Sequence, residues 1–218
     1  MIGVEVSRMP SHKKAGKRFS EYYVKGRDGA LHVDEGYSNF DLNASLVLIN
    51  GDSSQRQIVN EWADGSGKLI TSDDPTKAYL AAVEQEVTWT RVKAPTGFFD
   101  TANITFNCKP YMVEANEQDI ALTATGTVKN KGNMIAYPLI KVEGQGIVSF
   151  NFAGFPIMLT GVDAGVPVYI DCENGYVYSQ GNARTMKGDI PWLGLGENTI
   201  SFGNHVDRIT ITPHWRWL

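Results

Sequence analysis

Apolar and polar residues alternate along most of the chain, and this two-residue period predicts short β-strands. In the first half the alternation is clearest at 42–48 and 104–108, where every second residue is apolar. In the second half it is clearest at 148–152, 157–159 and 166–170. We therefore expect a mainly β protein.

Turn-forming residues separate the alternating runs. Asp28-Gly29 and Asn174-Gly175 are dipeptides typical of tight hairpins, the second of a type I′ turn, because glycine tolerates a positive φ. Further turns are predicted at 72–75, 153–154 and 203–204. In the second half, which has no helical pattern, turn signals recur about every 8 to 12 residues. This spacing predicts a β-sandwich of roughly 100 residues.

One segment, from about residue 54 to 64, has a helical period. Ser54 and Gln57 match a capping box, and Gly65 is expected to provide a left-handed C-cap. The apolar stripe of this helix consists of Ile58, Val59 and Trp62. Trp62 is therefore a candidate structural anchor.

The composition turns polar and acidic at 112–119, which places a domain boundary there. We divide the chain into an N-terminal domain, 1–114, and a C-terminal domain, 115–218. The last residues, ITITPHWRWL, alternate again, with Ile209, Ile211, Trp215 and Trp217 on one face. We expect Trp215 and Trp217 to anchor this strand in the C-terminal sandwich or against the N-terminal domain, with an edge or bend at Pro213 because proline donates no ladder hydrogen bond.

Composition narrows the class of protein. The 218 residues are 42% hydrophobic and 20% charged, as in an ordinary globular protein, and contain no apolar run of membrane-helix length. The net charge of −4 gives no basic footprint for nucleic acid. The one local concentration of positive charge is a basic cluster at 13–18. It is either a solvated arm or a segment that docks on an acidic neighbour.

No motif for catalysis, cofactor binding or metal binding is present in the sequence. The four histidines, His12, His32, His205 and His214, have no metal-ligand spacing. Cys108 and Cys172 lie in alternating apolar runs and are predicted to be buried free thiols. The nearest approach to paired carboxylates is Asp73-Asp74, in a turn, and Glu84 with Glu86, on the polar face of a strand. We therefore expect that the protein is not an enzyme and that it has no cofactor and no metal site.

Several segments, in order from Gly26 to Leu218, resemble siphophage distal tail proteins. In the first half these are GRDGAL, EWADGSGKLITSDDPTKAYLAAV and ITFNCKPY. In the second half they are YPLIKVEGQG, VYIDCENGYVY and GENTISFGNHVDRITITPHWRWL. The ending TPHWRWL is similar to the family's TPRWRWL, with His214 in place of arginine.

The resemblance implies an N-terminal β-sandwich or split-barrel domain with one α-helix, which forms a ring, followed by a galectin-like β-sandwich. It implies a homo-hexamer at the tip of a long non-contractile tail, in the virion, assembled in the host bacterial cytoplasm. The implied partners are the tail tube protein, the tail-associated tip protein and receptor-binding proteins, with DNA passing through the ring. Candidates for the channel lining are Asp73, Asp74, Glu84 and Glu86; the alternative is a solvated hairpin surface.

Two other functions stay open at this point. A carbohydrate-binding module would use the C-terminal sandwich to bind cell-wall saccharide, with Trp192 as a stacking platform; packing in a core or interface is the structural alternative for this residue. A hydrolase acting on the host wall is disfavoured because the sequence has no acid/base constellation.

Overall fold

The fold is mainly β with one helix, as predicted, in a computed structural model that describes residues 4–8 and 13–218. The chain forms two compact units: unit 1 comprises residues 1–112 with Leu218, and unit 2 comprises residues 113–217. Each unit has its own hydrophobic core.

The first eight strands and the helix lie in unit 1, except for the last two residues of β8, which belong to unit 2. In chain order they are β1 (Val4–Arg8), β2 (Lys17–Tyr23), β3 (Ala30–Tyr37), β4 (Phe40–Ile49), α1 (Ser53–Trp62), β5 (Gly65–Leu69), β6 (Lys77–Val83), β7 (Trp89–Ala94) and β8 (Gly97–Glu114). The main sheet has the order β1-β4-β8-β6-β5, and β7 also pairs with β8. The strands β2 and β3 form a separate two-stranded hairpin.

The main sheet of unit 1 has one apolar and one polar face, because its strands follow the two-residue period. Leu42, Leu46, Ile104 and Phe106 are buried on the apolar face, against Val59 of α1. The opposite face carries a ladder of amide and hydroxyl side chains. Its bonds include Asn39 Nδ2 to Asn107 Oδ1 (2.9 Å), Ser45 Oγ to Asn103 Oδ1 (2.8 Å) and Thr105 Oγ1 to Asn43 Oδ1 (2.9 Å).

The remaining strands belong to unit 2. They are β9 (Ile120–Leu122), β10 (Gly126–Lys129), β11 (Leu139–Gly144), β12 (Gly146–Phe152), β13 (Phe155–Val162), β14 (Val168–Asp171), β15 (Tyr176–Ser179), β16 (Asn182–Ala183), β17 (Met186–Lys187), β18 (Glu197–Phe202), β19 (Val206–Thr212) and β20 (Arg216–Trp217). Two sheets, ordered β10-β18-β12-β13-β17 and β16-β15-β14-β11-β19-β9, share one core that includes Phe152, Ile140 and Ile211. Unit 2 is therefore a β-sandwich.

The N-cap of the helix lies two residues before the predicted Ser54, so the Ser54–Gln57 capping box is wrong. Asp52 is the N-cap: its carboxylate accepts from the backbone N–H of Gln55 (2.9 Å), and the Gln55 side chain accepts from the N–H of Asp52 (3.1 Å). The C-cap is Ala63, whose N–H donates to the Val59 carbonyl.

Gly65 does have a positive φ, of 81°, but it opens β5 and does not cap the helix. The expected apolar stripe is also narrower, because Ile58 and Trp62 are exposed and only Val59 is buried.

Two of the predicted tight turns are longer than expected. The first hairpin pairs Tyr23 with Ala30, so six residues form its loop, and Asp28-Gly29 is only the end of it. The β14–β15 hairpin pairs Asp171 with Tyr176, which leaves a four-residue loop where a two-residue type I′ turn was predicted. By contrast, 153–154 is a two-residue turn with both φ values positive, as its position between paired residues requires.

Candidate assembly surfaces

The main sheet of unit 1 ends at β1 on one side and at β5 on the other, within the described residues. The sequence of β5 is GSGKL, and its first four residues are exposed. An edge strand presents backbone N–H and C=O groups that another chain can pair. Unit 1 therefore has two different open edges.

The β2–β3 hairpin is a second exposed feature of unit 1. Most of its side chains are exposed on both faces, although many are large and apolar. The exposed apolar residues are Phe19, Tyr22, Tyr23, Val24, Leu31 and Val33. Tyr22 pairs with Leu31 and Ser20 with Val33, so these four side chains share one face of the hairpin.

An apolar groove of about 390 Å³ opens beside α1, on the part of the apolar sheet face that the helix leaves uncovered. Its floor contains Leu42, Leu46, Ile104 and Phe106, and its rim contains Val6, Trp62 and Ile70. Trp62 is 61% exposed and meets Phe106 edge to face, with ring centroids 5.9 Å apart. The structure thus places the candidate anchor Trp62 at the rim of this groove, and its anchoring role stays a prediction.

The four acidic candidates for a channel lining fall into two pairs at opposite ends of β6. Asp73 and Asp74 precede the strand. Glu84 and Glu86 follow it in a loop, so their expected position on a strand is wrong. Thr76 and Lys77 hold the Asp74 carboxylate by hydrogen bonds and lower its pKa to about 2.

Glu84 and Glu86 meet the end of the helix. A depression of about 560 Å³ beside the last turn of α1 is lined by four carboxyl side chains. They are Glu61, Asp64, Glu84 and Glu86. We call this surface the acidic depression.

A buried ion cluster in unit 1 was missed by the sequence analysis. Asp100 is fully buried and accepts from Arg91 (Nε 2.8 Å, Nη2 2.9 Å) and from Arg56 Nη1 (3.1 Å). The hydrogen bond from Arg91 is the main cause that holds the Asp100 pKa below its usual range. Arg91 also donates to the Gly51 carbonyl (3.0 Å), so the cluster ties β7 and β8 to the chain before α1.

The last residues of unit 2, 213–217, form what we call the tryptophan segment. Trp215 is 1% exposed and lies in the core of unit 2, while Trp217 is half-buried against that core. The strand β19 ends at Thr212 before the predicted bend at Pro213, and His214 has a φ of 54°. The Trp215 N–H donates to Glu117 Oε1 (3.0 Å).

Trp192, the candidate sugar-stacking residue, is 41% exposed in unit 2. Its ring packs edge to face on Phe155, with centroids 4.3 Å apart. A shallow depression of about 510 Å³ lies on the outer face of β12, β13 and β18 and contains Ser149, Met158 and Ser201. Its lining has one charged residue, Lys187.

The described residues contain no group of three or more His, Cys, Asp or Glu side chains placed to hold a metal ion. His12 lies outside the described residues. Both cysteines are buried free thiols, as predicted, and burial raises the pKa of Cys108 to about 11 and that of Cys172 to about 12. In the part of the chain that the structure describes, no helix has the length and apolarity to cross a membrane.

Comparison of the sequence finds no protein-family model and no curated protein that matches it. The fold, however, is similar to the crystal structure of the Dit protein (gp 19.1) of phage SPP1, described as a paradigm of the hub adsorption apparatus in phages that infect Gram-positive bacteria. The TM-score is 0.72 at 15% identity, over 99% of this chain and 94% of that one.

Two structures of the phage P2 baseplate in its activated conformation, with Ca and with Sr, also match. Their TM-scores are 0.48 and 0.45 at 10% identity, over 95% and 97% of this chain and 89% and 91% of those chains. The resemblance seen in the sequence is thus confirmed in the fold: along nearly its whole length, this chain has the fold of a phage distal tail protein.

Proposed function

We propose that this protein is a structural hub of the tail tip of a long-tailed, non-contractile phage or prophage. Six copies form a ring that joins the tail tube to the tail-associated tip protein and to receptor-binding proteins, and DNA passes through it. The observation that carries the proposal is the similarity to the SPP1 Dit protein over 99% of the chain. The ring belongs to the virion and is assembled in the host cytoplasm.

The open edges of unit 1 support a ring. A ring needs a heterologous interface, in which two different surfaces of one chain meet and the rotation closes. The strands β1 and β5 are such a pair of surfaces, because they end the same sheet on opposite sides. Pairing β1 of one copy with β5 of the next satisfies backbone groups that otherwise invite aggregation.

The charge of the chain is compatible with passage of DNA. Six copies at −4 each carry a formal charge of −24. Lysine and arginine contacts to phosphates are what hold DNA, so an acidic or neutral channel lets it move. Asp73, Asp74, Glu84 and Glu86 remain candidates for this lining, with solvated surface as the alternative. Because the two pairs lie at opposite ends of β6, a channel lined by all four must run along this strand.

The size of the purified particle tests the proposal. Native mass spectrometry should show a species of six times 24.0 kDa, and negative-stain micrographs should show rings with sixfold symmetry. A chain that stays monomeric at high concentration, both alone and with purified tail tube protein, would refute the ring.

The second candidate is a carbohydrate-binding module that uses unit 2. The observation in its favour is the partly exposed Trp192 next to Phe155, an aromatic pair on the surface of the sandwich. Titration with host cell-wall saccharide separates the two functions. A monomer whose tryptophan fluorescence changes with saccharide, and changes no longer in Trp192→Ala, would replace the hub by this module.

A further inference from the structure

We propose that Asn174 is a site of spontaneous deamidation in unit 2, and that the carboxylate of Asp171 controls its rate. The site lies in the exposed loop that joins β14 to β15. Deamidation converts a neutral amide in this loop into a carboxylate. The modification goes beyond the hub function and does not depend on it.

The dipeptide Asn174-Gly175 has the two residue types that this reaction requires. The backbone nitrogen of the glycine attacks Cγ of the asparagine side chain and loses its proton, and ammonia leaves, so a cyclic succinimide forms. Water then opens either carbonyl of the ring and gives aspartate or isoaspartate. Glycine in the second position favours the attack, because it has no side chain to hinder the approach and adopts more backbone conformations than other residues.

Both residues of this dipeptide are open to water in the structure. Asn174 and Gly175 are exposed, and a Cβ added to Gly175 would meet nothing within 4 Å. The succinimide therefore has room to form, and water reaches it for hydrolysis.

Asp171, at the base of the loop, holds both reacting groups. Its carboxylate accepts from the Asn174 backbone N–H (Oδ1, 2.9 Å) and from the Asn174 side-chain Nδ2 (Oδ2, 2.9 Å). Its backbone carbonyl accepts from the Gly175 N–H (2.9 Å). The attack needs the Gly175 nitrogen to lose its proton and the amide side chain to turn towards it, so these bonds must open first. The frequency of this local opening therefore sets the rate of deamidation.

A second Asn-Gly dipeptide, Asn50-Gly51, provides a comparison within the same chain. Its glycine is buried. Asn50 is held on both sides, because its Oδ1 accepts from the Phe98 N–H (3.2 Å) and its own N–H donates to the Phe98 carbonyl (2.9 Å). Deamidation at Asn50 requires the end of β4 to separate from β8, so we expect it to be slower than at Asn174.

Deamidation should loosen the loop and its contact with the tryptophan segment. The new carboxylate replaces a hydrogen-bond donor beside Asp171, and two like charges at this distance repel each other. The preceding residue, Glu173, pairs with Arg216 of the tryptophan segment (Oε1 to Nη2, 2.8 Å). Isoaspartate adds a carbon atom to the backbone directly after Glu173, so this ion pair should weaken.

Peptide mass mapping of the full chain during incubation at pH 7 measures the reaction, and chromatography separates isoaspartate from aspartate. In the folded protein, we expect Asn174 to be modified faster than Asn50. In guanidinium chloride, the two residues should react at similar rates, because glycine follows both.

Two substitutions of Asp171 test its control of the rate. Asp171→Ala should accelerate the modification of Asn174 at least tenfold, because two hydrogen bonds to a charged group are lost. Asp171→Asn keeps an acceptor for one of the two donors, so its effect should be smaller. The rate at Asn50, in unit 1, should stay the same in both variants, and a cooperative thermal melt shows that unit 2 is still folded.

Three results would overturn the proposal. A rate at Asn174 that is equal in the folded and the denatured protein, or that Asp171→Ala leaves unchanged in a folded chain, overturns control by Asp171. A folded protein whose Asn174 stays unmodified, while the denatured protein reacts, overturns the site.

Ageing of the protein tests the structural consequence. The thermal transition of unit 2 should fall as the unmodified sequence ages. In Asn174→Gln it should stay constant, because the longer side chain forms the cyclic intermediate far more slowly. An equal fall in both proteins overturns the link between this loop and the stability of unit 2. None of these measurements depends on the number of copies in the particle, so the hub is tested separately.

Discussion

Replacing Trp215 by alanine should destabilise unit 2 strongly. The side chain is 1% exposed in the core of the sandwich. A tryptophan buries about 200 Å² of surface, which at about 25 cal/mol per Å² corresponds to roughly 5 kcal/mol as an upper value. Measured substitutions of buried aromatic residues by alanine cost about 3–5 kcal/mol. We therefore expect a loss of about 4 kcal/mol.

Differential scanning calorimetry at low protein concentration measures this loss of stability as a shift in the thermal unfolding transition of unit 2. For a unit of this size, 1 kcal/mol shifts Tm by about 4 °C, so Trp215→Ala should melt roughly 15 °C lower. The backbone N–H of residue 215 keeps its bond to Glu117 in the variant, so the shift reports the side chain.

Trp192→Ala is the matched control, since it removes the same side chain from a 41% exposed position in the same unit. Loss of its edge-to-face contact with Phe155 should cost about 1 kcal/mol. Equal shifts in the two variants, or a loss below 1 kcal/mol for Trp215→Ala, would show that the tryptophan segment does not hold the sandwich together.

Three further predictions concern other parts of the molecule. Asp100→Asn should lower the stability of unit 1 by about 2 kcal/mol in urea unfolding at pH 7, because charge-assisted hydrogen bonds are lost. Since the folded pKa of Asp100 is depressed, this difference should be complete above the unfolded carboxyl pKa of about 4 and should disappear only as the pH falls through the lower folded pKa. Gly132→Ala should destabilise unit 2 by about 1–3 kcal/mol, because a Cβ would lie 2.3 Å from a carbonyl oxygen of the tryptophan segment, whereas Gly67→Ala, which meets nothing within 4 Å, should not; thermal melts compare them. If Glu84 and Glu86 line the channel, replacing both by lysine should create salt-sensitive DNA binding by the ring in fluorescence anisotropy, and an unchanged anisotropy excludes that role.

The sequence predicted the class of fold because the two-residue period is a local property. The alternation at 42–48, 104–108 and 148–152 directly gave the buried faces of β4, β8 and β12. Two-residue turns were harder: of two Gly-containing dipeptides predicted as tight hairpins, both lie in longer loops. Loop length depends on which residues pair in the sheet, and tertiary packing, not the local sequence, determines that pairing.

The helix start shows the same limit. Asp52, Ser53 and Ser54 can all cap a helix by their side chains. The chain leaves β4 through Asn50, with a φ of 50°, and Arg91 fixes the Gly51 carbonyl, so Asp52 directly afterwards becomes the N-cap and the helix begins at Ser53. No local pattern contains the position of Arg91.

The candidate surfaces were only partly accessible from the sequence. Asp100 could have been found, because it has the same parity as Ile104 and Phe106 and so falls on the buried face of β8. The exposure of Tyr22 and Leu31 could not have been predicted from the sequence, because their alternating segments are typical of strands packed in a core. Only the sheet assignment, which leaves the hairpin outside the main sheet, shows that these side chains lack a cover in their own unit.

The two cysteines provide a built-in reporter for each unit. Cys108 lies in unit 1 and Cys172 in unit 2, and burial keeps both protonated at neutral pH. A thiol reagent can modify either residue only when its own unit opens, so modification rates followed by peptide mass mapping measure the opening free energy of the two units separately, in a single sample of the unmodified protein.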